Sequence, residues 1–183
     1  MRDILGYNLT TMMDNLKIIA CIGCGALVPD MDGPAARYKD AGSPGCWAVY
    51  EELLAKEYQD FAYSQVHRLT VDCYAVQHPG SPTAQSAQSV YVHLAGIYLE
   101  LIREFPPMKI APVMQRIIKM NKGSFPWLAP PHDLGQITVL DIARAKDAGE
   151  HRALVKEWAA SLWAAWGEHQ AAVIPLVEAA LDI

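Results

Sequence analysis

An all-α fold, a helical bundle with a cysteine-rich knuckle at its N-terminal end, is predicted by three observations. Apolar residues recur at intervals of three and four from Trp47 onward. Strand-like alternation is almost absent. A Cys-x-x-Cys-Gly run, Cys21-Ile-Gly-Cys24-Gly25, precedes the first periodic stretch.

The elements follow in order. Residues 1–45 are rich in Gly, Pro and Asp and read as a short N-terminal segment followed by irregular loops around the knuckle. Trp47, Tyr50, Leu54 and Tyr58 mark a helix over 46–58. Asp60 can cap a second helix running to Gln77, which Pro79-Gly80 stops. Pro82 or Thr83 opens a third helix ending near Arg103. Pro106-Pro107 interrupts the chain, and a shorter helix fits Ala111 to Met120. Gly123, Pro126, Pro130, Pro131 and Gly135 make 121–137 a loop. Thr138 and Asp141 have capping-box spacing and begin a brief helix to about Lys146. The last helix runs from about Glu150 to Ala180, with Pro175 kinking or ending it. The whole is expected to be one domain, 1–183, with 46–183 forming the bundle, since the length suits one core.

Composition excludes several functions. With 19% charged and 52% hydrophobic residues the chain is an ordinary globular sequence. A net charge of −5 and no Lys/Arg cluster argue against nucleic-acid binding. No run reaches the length of a membrane span. The apolar stretch Leu16–Leu27 is not a secretory signal, because Asp3 and Asp14 precede it and no A-x-A site follows. Four cysteines in 183 residues do not make a disulfide scaffold; as metal ligands or reduced thiols they suit the cytoplasm.

The chemistry centres on the knuckle. Two thiolates two residues apart, with a Gly behind them, grip a tetrahedral metal, and Cys46 in Ser43-Pro-Gly-Cys46-Trp supplies a third sulfur. Zinc fits that soft ligand set. In a hairpin of helices 46–58 and 61–78, Cys46 lies level with about residue 73. Cys73, His78 and, more weakly, Asp72 are then the candidates for the fourth ligand. Cys73 and His78 lie about 140° apart on the wheel, so a regular helix cannot turn both to Cys46. His78, at a helix end loosened by Pro79, is the choice; Cys73 is the alternative, or a buried apolar thiol.

A second group falls inside the bundle. His67, Val71, Tyr74 and His78 share one helical face, Asp72 lies off it, and the next hairpin brings His93 level with 67–70. His67, Asp72 and His93 are the candidate catalytic cluster. His169, in the stripe Trp158, Leu162, Trp166, His169, Val173, could join as a third imidazole, and Glu100 is one heptad after His93. Each His can equally be a core residue satisfied by a carbonyl or carboxylate. His132 and His151 fall in or near predicted surface turns and are given no role.

The motifs Cys21-Ile-Gly-Cys24-Gly-Ala, Asp32-Gly-Pro, Ser43-Pro-Gly-Cys46-Trp, His67-Arg-Leu-Thr-Val-Asp72, Tyr74-Ala-Val-Gln77-His78-Pro-Gly80 and Val92-His93-Leu resemble a family of uncharacterised bacterial proteins classed as a domain of unknown function. Phe125-Pro-Trp127-Leu with Pro130-Pro131, and Glu157-Trp158-Ala with Trp163-Ala-Ala-Trp166, extend the likeness over about 20–170. The resemblance implies polar residues clustered around the knuckle and second helix, and no reaction. Two departures stand out: Cys73 replaces an expected small residue, and Gln170 replaces an expected second His after His169.

Three functions follow: a structural zinc on a bundle that binds a small molecule or a protein partner; a metal-dependent enzyme, hydrolytic or thiol-transferring; or a Cys21/Cys24 redox switch. The last would place the motif at a helix start after a strand, and no strand is predicted there.

Overall fold

The computed structural model describes residues 17–34, 41–122 and 124–182. Of the irregular N-terminal segment expected over 1–45, residues 1–16 and 35–40 lie outside the described residues. The rest is predominantly helical, as the periodicity predicts. A short hairpin, β1 (Ile18–Ala20) and β2 (Leu27–Pro29), is followed by α1 (Pro44–Gln59), α2 (Phe61–Ser64), α3 (His67–Gln77), α4 (Ala84–Ile97), α5 (Pro107–Met120), α6 (Val139–Ala143), α7 (Ala148–Ala165) and α8 (Gln170–Leu181).

The hairpin corrects the expectation of no strand. β1 and β2 are antiparallel, pairing Ile18 with Pro29, Ile19 with Val28 and Ala20 with Leu27. Three residues per strand is too short for an alternating pattern to register. The Cys-x-x-Cys run is the turn of this hairpin, and β2 packs on α1.

Four helix boundaries differ from those expected. Asp60 does cap, accepting from Ala62 N–H at 2.8 Å, but α2 stops after one turn. Val66, at φ −115° and ψ 7°, leaves the helical region, so α3 starts afresh at His67. α4, capped by Thr83, passes into a π-helical turn at Tyr98–Ile102. α5 begins four residues earlier than expected, because Pro107 occupies the first turn, where no N–H is needed. The last helix breaks at Trp166–His169, beside Gly167, and Pro175 sits inside α8.

α3 is the central element. It packs against α4 on one side and α7 on another, while α5 meets α8 and α1 meets α6. Trp158, Trp166, Leu69, Leu94, Ile97 and Leu162 fill the core. Gln77, fully buried at the end of α3, ties the long loop to it: its Nε2 donates to Leu134 O at 3.1 Å and Ile137 O at 2.9 Å, and its Oε1 accepts from Trp158 Nε1 at 3.2 Å. No helix among the described residues is long and apolar enough to cross a membrane.

Replacing Gln77 by Leu would strand two carbonyls and an indole N–H at once. Each orphaned buried group costs about 1–3 kcal/mol, with some relief from the added apolar volume, so a net loss of about 2–4 kcal/mol is expected in urea unfolding. A midpoint equal to wild type would mean that the loop is not anchored there.

Candidate metal centre and the adjoining cavity

The hairpin turn is held by two backbone bonds, Cys21 N–H to Ala26 O at 2.8 Å and Gly25 N–H to Cys21 O at 2.9 Å. Gly25, at φ +75°, takes the left-handed conformation this closure needs. Cys46 enters from the first turn of α1. Ser43, just before that helix, stitches the pieces together: its Oγ accepts from Ile22 N–H at 3.2 Å and its N–H donates to Cys21 Sγ at 3.4 Å. His78 enters from the C-terminal end of α3, where φ −126° and ψ 62° take it off the helix. Its Nδ1 lies 2.8 Å from Tyr74 O, so that nitrogen carries the proton and Nε2 turns to the sulfurs.

The distances are 3.7 Å from His78 Nε2 to Cys21 Sγ, 3.4 Å to Cys46 Sγ, and 3.8 Å between the sulfurs of Cys24 and Cys46. All four ligand atoms lie within 4.8 Å of one another, a group that could hold a metal ion. Gly23 makes this closeness possible, since a Cβ there would sit 2.5 Å from His78 Cδ2 and 2.2 Å from Ala41 O. Cys73 is not part of the group. It is fully buried within the bundle, and burial raises its thiol well above the ordinary range.

Crowding sets the proton affinities. Contacts with Cys24 and Cys46 hold the Cys21 thiol far below its usual range, while contacts with Cys21 and Cys24 push Cys46 far above it. Burial works against a charged His78, but the sulfurs of Cys21 and Cys24 outweigh it and lift the imidazole to about 9. Thiolates packed this closely repel one another. A bound cation would relieve that repulsion.

The wall behind His78 is aromatic. Tyr74 stacks on His78 with centroids 4.0 Å apart and on Tyr50 at 3.8 Å, and its hydroxyl reaches Cys46 Sγ at 3.7 Å. Across this wall lies a cavity of about 290 Å³, lined by Trp47, Leu54, Tyr58, Val71, His67 and His93 among others. The two imidazoles share that cavity but do not bond to each other.

The expected trio is therefore divided. His93 Nδ1 lies 2.6 Å from Asp72 Oδ1, and Arg68 Nε donates to Asp72 Oδ2 at 3.0 Å. Asp72 is completely buried, and Gly96 of α4 lets it approach, since a Cβ there would lie 2.1 Å from Oδ2. His67 pairs instead with Glu57, Nδ1 to Oε2 at 2.8 Å. Glu57 is also fully buried, and its Oε1 accepts from Thr70 Oγ1 at 2.6 Å and meets His151 Nε2 at 2.8 Å. The sequence reading missed Glu57 altogether and put His151 in a surface turn, whereas His151 is buried on α7. A signal for Glu57 existed: it stands four residues after Leu53 and seven after Tyr50, on the buried stripe of α1. His169 does not converge on the cavity; its Nε2 faces Ala129 O at 2.8 Å.

A larger open groove of about 750 Å³ lies between the knuckle and residues 132–144. Its acids are occupied locally, Asp133 by Gly135 N–H at 2.8 Å and Asp141 by Thr138 N–H at 2.8 Å. The smaller cavity holds the convergent imidazoles and is the better candidate site.

Glu100, in the π-helical turn one heptad after His93, has its Oε2 buried without a partner among the described residues. Burial, reinforced by Asp72 and opposed by Arg68 and Lys156, raises it from near 4.5 to about 7. Its folded form binds a proton more tightly than the unfolded chain, so its contribution to stability is full below about pH 4.5 and is lost as pH rises through 7. Glu100→Gln should flatten that part of the stability–pH curve. At pH 8 it should gain roughly 1–2 kcal/mol, the full linkage value being discounted for partial exposure. Parallel curves for the two proteins in urea unfolding would refute the assignment.

Residues 19–167 match the model of a family of unknown function (DUF5946). No curated protein and no solved structure matches the chain. The match spans all but the first residue of the hairpin, the segments carrying Cys46, His78, His67 and His93, and all of α7, and the chain belongs to this family of unknown function.

Proposed function

We propose that the protein is a zinc-binding helical bundle in which Cys21, Cys24, Cys46 and His78 hold a structural ion. In this reading the cavity beside it binds a small molecule through a polar group containing His67, Asp72 and His93. One observation carries the metal half. With Zn–S near 2.3 Å and Zn–N near 2.0–2.1 Å, a tetrahedron has edges of about 3.8 Å between sulfurs and about 3.6 Å between sulfur and nitrogen. The separations here are 3.8, 3.7 and 3.4 Å.

Four protein donors complete that tetrahedron and leave no open position, which favours a structural ion over a hydrolytic one. The hydrogen bond from His78 Nδ1 to Tyr74 O is the outer support such ligands use to fix their tautomer. Three thiolates require a reducing compartment, which favours a cytoplasmic protein. The redox alternative gains nothing from the local structure. The Cys-x-x-Cys turn leads from β1 back to β2 rather than into a helix whose N-terminus would stabilise a thiolate.

The purified wild type is expected to contain one zinc per chain, and Cys24→Ser should lose most of it, since a neutral hydroxyl is a poor ligand. Chelation should lower the melting temperature and open the hairpin and the start of α1 to proteolysis, because the ion would tie those segments together beyond their own packing. A full equivalent of zinc retained by Cys24→Ser would end the ligand assignment.

A further inference from the structure

The cavity beside the metal centre has a polarity that its shape alone does not reveal. His67 and His93 each commit Nδ1 to a fully buried carboxylate, Glu57 at 2.8 Å and Asp72 at 2.6 Å. With the proton on Nδ1, the lone pair of each ring sits on Nε2. Neither Nε2 has a hydrogen-bond partner among the described residues, and the side chains keep 24% and 16% exposure, so solvent or a ligand can reach them. The cavity thus offers two acceptors.

Among the described residues, no Lys or Arg lines the cavity. Glu57 and Asp72 stand behind the imidazoles, and Arg68 offsets Asp72 from its far oxygen. Zinc held by three thiolates and a neutral imidazole would add a net −1 behind His78. The remaining walls include the rings of Trp47, Tyr50, Tyr58 and Tyr74, with Leu54, Val71 and Ser89. Tyr74, stacked between Tyr50 and His78, leaves Trp47 and Tyr58 as the rings with a face to offer a cation.

We propose that this cavity binds a small organic ammonium ion: two of its N–H groups donate to His67 Nε2 and His93 Nε2, and its apolar body lies against the aromatic wall. The proposal rests on the reading of the cavity as a small-molecule site and adds the class of ligand. Cations are drawn to Trp and Tyr faces, and a primary ammonium has donors enough for both acceptors. An anion would need both imidazoles protonated, in a cavity backed by two carboxylates. A second metal ion lacks a third ligand: both oxygens of Glu57 and both of Asp72 are already engaged. Among the described residues the cluster of metal-ligating side chains is the Cys3His group alone. At about 290 Å³ the space lies at the small end of ligand pockets, enough for one ring and an amine.

The test is calorimetric titration of the zinc-loaded full chain with benzylammonium, benzyl alcohol and benzoate, which differ little in shape and differ in charge. Benzylammonium should bind about tenfold tighter than benzyl alcohol, with benzoate weakest, as one charge-assisted hydrogen bond is worth roughly that factor or more. His67→Asn and His93→Asn keep an N–H for the carboxylate and remove the acceptor. Each should weaken benzylammonium about tenfold while changing benzyl alcohol little. Ala75→Leu, which fills the cavity from α3, should weaken all three and serves as a check independent of the imidazoles. Equal binding of alcohol and ammonium, or a preference for benzoate, overturns the charge assignment and leaves the small-molecule reading standing. A second zinc equivalent that disappears in His93→Asn overturns it in favour of a metal site. If none of the three probes binds, the proposal and the small-molecule reading fall together, while the zinc assignment stands or falls on metal content alone.

Discussion

Three sulfurs and one imidazole nitrogen held within 4.8 Å of one another are the constraint on which the rest of this structure depends. They come from a hairpin, the first turn of α1 and the residue just after α3, and they meet where β2 packs on α1. The hairpin has two three-residue strands, far below what stands alone in water. An ion at the centre would convert mutual repulsion among thiolates into attraction, so hairpin and bundle become one unit. Gly23 and Ser43 belong to the same constraint, one by giving space and the other by holding Cys21 with an N–H.

The cluster also shapes the cavity. Because His78 must leave α3 to reach the sulfurs, Tyr74 one turn earlier stacks on its ring, and Tyr50 stacks on Tyr74. This column separates the Cys3His cluster from the cavity and gives both a common wall. On the far side, Glu57 and Asp72 carry the cost of full burial through paired contacts on every oxygen. Two buried carboxylates each hold one imidazole that lines the same cavity, while His151 meets Glu57 inside the core.

Much of the helical framework was legible in the chain. Capping by Asp60 and Thr83, the break at Pro79-Gly80 and the Trp158–Leu162–Trp166 stripe all follow from local rules that the structure obeys. The level counted from a hairpin of helices points to about residue 73, whereas His78, picked out by the helix end before Pro79, is the residue that meets Cys46. The failures have separate causes. The strands are too short to show a period, Pro107 looks like a barrier although the first helical turn tolerates it, and Glu57 carries no motif that singles it out.

The sequence by itself determined the class of fold and the candidate ligands, because helical periodicity, caps and ligand spacing act over distances of a few residues. Only the tertiary structure decided which imidazole meets which carboxylate. His67 pairs with Glu57 rather than His93 because Val66 breaks the helix and turns His67 toward α1. His151 is buried against Glu57 although it is 94 residues away in the chain. Such pairings are set by burial. A carboxylate taken out of water must find donors wherever packing provides them, and no local pattern records where that will be.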